Sequence, residues 1–216
     1  MQAQHPDPAE IEARRREYEQ RQEARADEIA RWARVVVQGF PPGDPKVVVL
    51  VDVEAREIST FLESELDKAR EMLARFDVIA GLEVRPLLRA LGFEPGDRRL
   101  AELGPRQKSM RLNRAGRTLK ITTEMLIRGS CGIGTPLGDP ARLREYQAKD
   151  DLPKLRRRLE ADAKSLFAYY QYGRLHGAVR LRWGFLDEMI PAPWSPRDER
   201  GLFELKRRAR DHDMAL

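Results

Sequence analysis

Between Lys46 and Glu54 the chain reads Lys-Val-Val-Val-Leu-Val-Asp-Val-Glu. Branched side chains sit easily on a pleated backbone and crowd the preceding turn of a helix. An apolar run of this length with no alternation reads as a strand buried on both faces. A second strand signal spans Ala178 to Leu186 and does alternate. Val179, Leu181, Trp183 and Phe185 fall on one side, Arg180 and Arg182 on the other. A third, shorter signal lies at residues 117–121. These three segments predict one small three-stranded sheet in a helix-dominated α+β fold, with several packed helices and a long N-terminal helical arm.

The helices announce themselves by caps and spacing. Asp7-Pro8-Ala9-Glu10 is a start signal: an N-cap, proline in the first turn and Glu three residues after the cap. The helix is expected to run to about Gln38, stopped by Gly39 and Pro41-Pro42. Its apolar positions, Ile11, Tyr18, Ile29, Trp32 and Val36, are too sparse to bury a full face. Residues 1–39 therefore read as an arm that packs through its end or pairs with another chain. Residues 40–216 read as a single domain. Ile58, Phe61, Leu62, Leu66, Ala69, Met72, Leu73 and Phe76 give the clearest amphipathic helix. Short helices are expected at Val84–Leu91, at Leu100–Leu103 and from a Thr123 cap to Arg128. Asp139-Pro140 opens another, and a longer helix covers about 153–172. Pro191, Pro193 and Pro196 mark an extended segment, and Ser195 opens a last helix.

Composition narrows the setting. The chain has 216 residues and a net charge of +5, with Arg far more frequent than Lys. Arginine's planar fork matches two phosphate oxygens at once. One cysteine, Cys131, excludes an internal disulfide and a multi-cysteine zinc site. No apolar signal core or bilayer-length run is present. The expectation is a cytoplasmic protein with no membrane partner.

Two stretches carry most of the functional signal. From Pro105 to Lys120 stand Arg106, Lys108, Arg111, Arg114, Arg117 and Lys120, with no acid among them. Ser109, Asn113 and Thr118 add neutral phosphate donors. From Lys164 to Phe185 six aromatics mingle with cations, the mixture of flat faces and charge that a single-stranded nucleic acid needs. Tyr169, Tyr172, Arg180, Arg182 and Trp183 are the candidates for stacking or base contact there. Leu73 to Gly92 has the outline of a helix-turn-helix, with Arg85 and Arg89 on the second helix.

Other motifs lack a necessary residue. Gly129 and Gly134 have phosphate-loop spacing, but Thr135-Pro136 stands where the lysine and hydroxyl are required. Ile133 occupies the second glycine position of a nucleophile elbow. Cys131 and His176 would have to meet through the fold to act as a pair. Val-Val-Leu-Val-Asp52-Val-Glu54 resembles the hhhDhE motif of primase-polymerases and of one class of 3′–5′ exonucleases. That resemblance, six residues long, implies a divalent metal on Asp52 and Glu54. The companion motifs are out of place. Gly173-Arg-Leu-His176 and Leu186-Asp187 stand too close together, and Phe76-Asp77 follows the strand too soon.

The reading is a non-enzymatic nucleic-acid-binding protein, its nucleic acid DNA or RNA, with no catalytic residue, metal or cofactor assigned. Arg106, Lys108, Arg111, Arg114 and Arg117 would hold phosphates. One alternative is a metal-dependent nucleotidyl transferase or nuclease using Asp52 and Glu54. Another is an assembly protein that forms a homo-oligomer, or holds a partner protein, through the N-terminal helix.

Overall fold

The structure, a computed structural model, describes residues 8–112 and 118–194. The chain divides into two units, with the boundary between Trp32 and Ala33. In the first, helix α1 (Pro8–Ala30) begins at the proline that the sequence marks. Its exposed side chains are joined by ion pairs one turn apart: Arg16 with Glu12 at 3.2 Å, Arg15 with Glu19 at 3.0 Å, and Arg21 with Glu17.

The second unit holds a five-stranded mixed sheet: β1 (Arg34–Phe40), β2 (Val47–Asp52), β3 (Ile58–Leu62), β4 (Val78–Gly81) and β5 (Arg99–Glu102). Its spatial order is β3-β2-β1-β4-β5. The first three strands form an antiparallel meander. β4 and β5 return parallel to β1 through α2 (Leu66–Leu73) and α3 (Val84–Ala90). A fully buried β1 and β2 require cover on both faces. Val35, Val37, Val48 and Leu50 meet Leu73, Leu87 and Leu88 from α2 and α3. The opposite face carries α6 (Leu152–His176), whose Leu155, Leu159 and Leu166 are wholly buried. Thr60 on β3 donates to Glu160 on α6 at 2.7 Å.

This corrects the expected small three-stranded sheet. Its three expected members lie in three different sheets: β2 in the large one, β7 (Thr118–Lys120) paired with β6 (Ser109–Arg111), and β8 (Ala178–Trp183) paired with β9 (Leu186–Pro191). The large sheet has more strands than expected because β1, β3, β4 and β5 fall in segments whose sequence signal is helical. Val35-Val36-Val37 lies inside the helix that the sequence predicts to about Gln38, yet three consecutive β-branched residues favour a strand. Ile58, Phe61 and Leu62 have helical spacing and belong to β3, so the amphipathic helix starts only at Leu66. Leu100 sits on β5 rather than in a short helix. β4 stands between α2 and α3, so the helix-turn-helix outline of 73–92 is a strand crossover.

Two further helices complete the unit: α4 (Thr123–Cys131) packs on β8 and on α6, and α5 (Pro140–Ala148) packs on α6. Thr122, not Thr123, caps α4 by accepting from the Met125 N–H at 3.3 Å. Asp139 and Pro140 open α5 as the sequence implies. The glycine-rich stretch begins inside α4. A Cβ on Gly129 would lie 2.3 Å from the Arg180 carbonyl oxygen. The missing side chain lets α4 lie against β8, where Ser130 Oγ accepts the Arg180 N–H at 2.8 Å. The expected C-terminal helix from Ser195 lies outside the described residues. Among the described residues no helix is long and apolar enough to cross a membrane.

Candidate nucleic-acid interface

The basic segment leaves the carboxyl end of β5, the edge at which the parallel strands β1, β4 and β5 all finish. In open sheets with parallel strands this edge is where ligand-binding loops emerge. After Leu103 and Gly104 the chain passes Arg106 and Lys108 and turns into the β6–β7 ribbon. Register pairs Ser109 with Lys120, Met110 with Leu119 and Arg111 with Thr118. Directly opposed residues share a face of an antiparallel pair. Leu119 is buried and Met110 half-buried, so one face of the ribbon rests on the protein. The other face presents Ser109, Arg111, Thr118 and Lys120, all exposed. Ile121, itself buried, donates its N–H to the Lys108 carbonyl at 2.9 Å and extends the ladder beyond Lys120.

Arg106, Lys108, Arg111 and Lys120 have no carboxylate partner among the described residues, in contrast to Lys46, Lys68, Arg70, Lys149, Lys154, Arg156 and Arg158. Arg114 and Arg117 lie outside the described residues. Lys120 was legible as a cation in the run but not as the cross-strand neighbour of Ser109. The available signal was the matched pattern Ser-Met-Arg and Thr-Leu-Lys, each polar-apolar-cation; three residues are too few for periodicity to register.

The aromatic stretch divides differently from expectation. Tyr169 is wholly buried, its ring edge-on to Trp194 with centroids 5.4 Å apart. Burial pushes its hydroxyl upward, and no ring face is open to a base. Tyr172 is half-buried against His176, the ring centroids 4.3 Å apart. Arg180 is engaged by Asp187 across the β8–β9 pair, at 2.6 Å from Nε and 2.5 Å from the terminal nitrogen. The hydrogen bonds from Arg180 hold the Asp187 carboxyl below the usual range. Arg182 is 3.5 Å from the same carboxylate. Trp183, at the end of β8, is 50% exposed, and Phe185 in the following turn is fully exposed. Sequence pattern assigned Trp183 and Phe185 to the same apolar face as Val179 and Leu181. Val179 and Leu181 are buried, and exposure begins at Arg182.

The two stretches meet at their bases. Gly104–Gln107 and the segment Ile190–Trp194 line one small cavity, with Leu126, Tyr169 and Val179. Trp183 stands four residues along β8 from Val179, ~13 Å away at the rise of a strand. Trp194 closes the cavity from one side. Its indole nitrogen donates to the Tyr170 carbonyl at 3.1 Å, and its ring occupies the space a side chain on Gly173 would need.

Asp52 and Glu54 do not face one way along a strand. β2 ends at Asp52, and Glu54 lies in the turn after it. Asp52 Oδ1 accepts the N–H groups of Glu54 and Ala55 at 3.0 and 2.8 Å. Glu54 binds the Arg34 N–H at 2.9 Å and the buried Arg34 guanidinium at 3.2 Å. Both carboxylates thus organise the β2–β3 turn. Among the described residues no three His, Cys, Asp or Glu side chains are grouped to hold a metal ion. Burial pushes the Cys131 thiol up to about 11, which leaves little thiolate at neutral pH. Compared with known proteins, the chain matches no family model, no curated protein and no solved structure.

Proposed function

We propose that this protein binds nucleic acid without transforming it, through the β6–β7 ribbon and the segment leading into it. The observation that carries this reading is the exposed, unneutralised positive charge of that segment. Arg106, Lys108, Arg111 and Lys120 stand exposed with no carboxylate among the described residues to neutralise them. Ser109 and Thr118 stand between them as neutral hydrogen-bond donors. Exposed cations lose little on binding phosphate and gain from counterion release. Arg180 contributes less, because Asp187 already neutralises it. Tyr169 serves as core, and Trp183 is the aromatic of the original set with the most open face.

The test is fluorescence anisotropy with labelled oligonucleotides at two salt concentrations. Replacing Arg106, Lys108, Arg111 and Lys120 together by Ala should weaken binding. It should also flatten the dependence of log K on log salt by about 0.9 for each lost contact on a duplex, or about 0.7 on a single strand. No binding by the unaltered protein at low salt would refute the proposal.

A further inference from the structure

We infer that the nucleic acid is B-form duplex DNA and that the β6–β7 ribbon enters its major groove. This rests on the nucleic-acid reading above and narrows it to a substrate. Three observations converge. First, the sequence from Pro105 to Ile121 contains no Phe, Tyr, Trp or His. Binding to single strands relies on aromatic faces for stacking, and this surface has none to give. Of the aromatics on the neighbouring β8–β9 segment, Trp183 stands at the end remote from the small cavity where that segment meets the ribbon's approach.

Second, the exposed face has the shape for a groove. Two paired strands lie about 4.8 Å apart, and with side chains they fill a groove about 12 Å wide. The B-form major groove admits a two-stranded ribbon, whereas the A-form major groove of duplex RNA is too narrow and deep. On the opposite face Leu119 is buried and Met110 half-buried, so the polar face is the one turned to solvent.

Third, the outward side chains suit base edges. Arg111 can fork onto the O6 and N7 of guanine, Lys120 can reach the same atoms, and Ser109 and Thr118 can donate or accept. Arg106 and Lys108 precede the paired strands and are placed to hold phosphate at the groove wall, which fixes position without reading sequence.

The experiment compares three labelled probes of one length and sequence: DNA duplex, RNA duplex and single-stranded DNA. The full-length protein should prefer the DNA duplex and protect guanine N7 from methylation by dimethyl sulfate. Arg111→Lys keeps the charge and loses the fork. It should reduce the preference for a guanine-containing site roughly fivefold or more while leaving the salt slope unchanged. Arg106→Ala should lower that slope and spare the preference. Equal or tighter binding of RNA duplex or single strand would overturn the inference and leave the binding function standing. Unprotected N7 atoms on a bound DNA duplex would overturn it too. Binding to none of the three probes would remove the function and the inference together.

Discussion

Asp162 is a buried carboxylate in the middle of α6, and its surroundings work against one another. It accepts the Gly138 N–H with both oxygens, at 3.0 and 3.1 Å, and Arg158 Nε lies 2.8 Å from it. Arg158 also donates to the Thr135 carbonyl at 3.2 Å, so the two side chains tie the glycine-rich loop to the helix. Desolvation nevertheless outweighs these contacts, with Glu124 adding repulsion, and raises the Asp162 carboxyl from 3.8 to about 6. A group with a raised folded-state value favours folding most when protonated. Its contribution is full below pH 3.8 and is lost as pH rises through about 6. The shift corresponds to ~3 kcal/mol between the two ends of that window. Asp162→Asn keeps an acceptor for Gly138 and cannot ionise. Urea unfolding should find wild type losing ground to the variant as pH rises from 4 to 7.5. Comparing the two proteins removes the opposite slopes of Glu65, Glu145, Asp151, Glu160 and Asp187, whose values are lowered. Parallel curves would show that Asp162 does not carry the burial cost assigned to it.

α6 shows how one helix serves two solvents. Leu166 is wholly buried and Leu175 is 80% exposed, although they are the same residue type nine positions apart. Leu166→Ala should cost about 2–5 kcal/mol through lost transfer energy and an unfilled cavity. Leu175→Ala should stay within about 0.5 kcal/mol of wild type. Chemical denaturation of both variants measures the contrast, and equal losses would mean that the helix does not pack as described. The elements legible from sequence were those whose signal was local. Asp139-Pro140 opened a helix as expected, and the alternation of β8 held through Leu181 but not at Trp183. β1, β3 and β5 were not legible, for a physical reason. Val35-Val36-Val37 follows a helical signal in the sequence and becomes a strand through pairing with β2 and β4, partners remote in sequence. Ile58, Phe61 and Leu62 satisfy a helical period by coincidence, and pairing with β2 decides the matter. The ribbon behaved similarly: its cations were plain in the sequence, but their common face depends on a register that only pairing sets.

Across the whole chain, stability should reside in the unit that begins at Ala33. β1 and β2 are covered on both faces there, and the buried set runs continuously from Val35 to Leu91 on one side of the sheet. α1 contributes differently. Its side chains from Glu12 to Arg21 are exposed or half-exposed, and Tyr18 keeps 63% of its surface in water. Its ion pairs are exposed, where each gives about 0.3–0.5 kcal/mol at most. Removing residues 1–21 should therefore leave the main calorimetric transition almost where it was. For a unit of this size 1 kcal/mol shifts the midpoint by about 2–4 °C, so the expected change is below about 2 °C. The far-ultraviolet helical signal should fall by the share of the deleted turns, and the salt dependence of nucleic-acid binding should persist, since Arg106, Lys108, Arg111 and Lys120 remain. A midpoint lowered by more than about 5 °C at unchanged mass would show that α1 stabilises the sheet-bearing unit, and its exposed face would then need a different explanation.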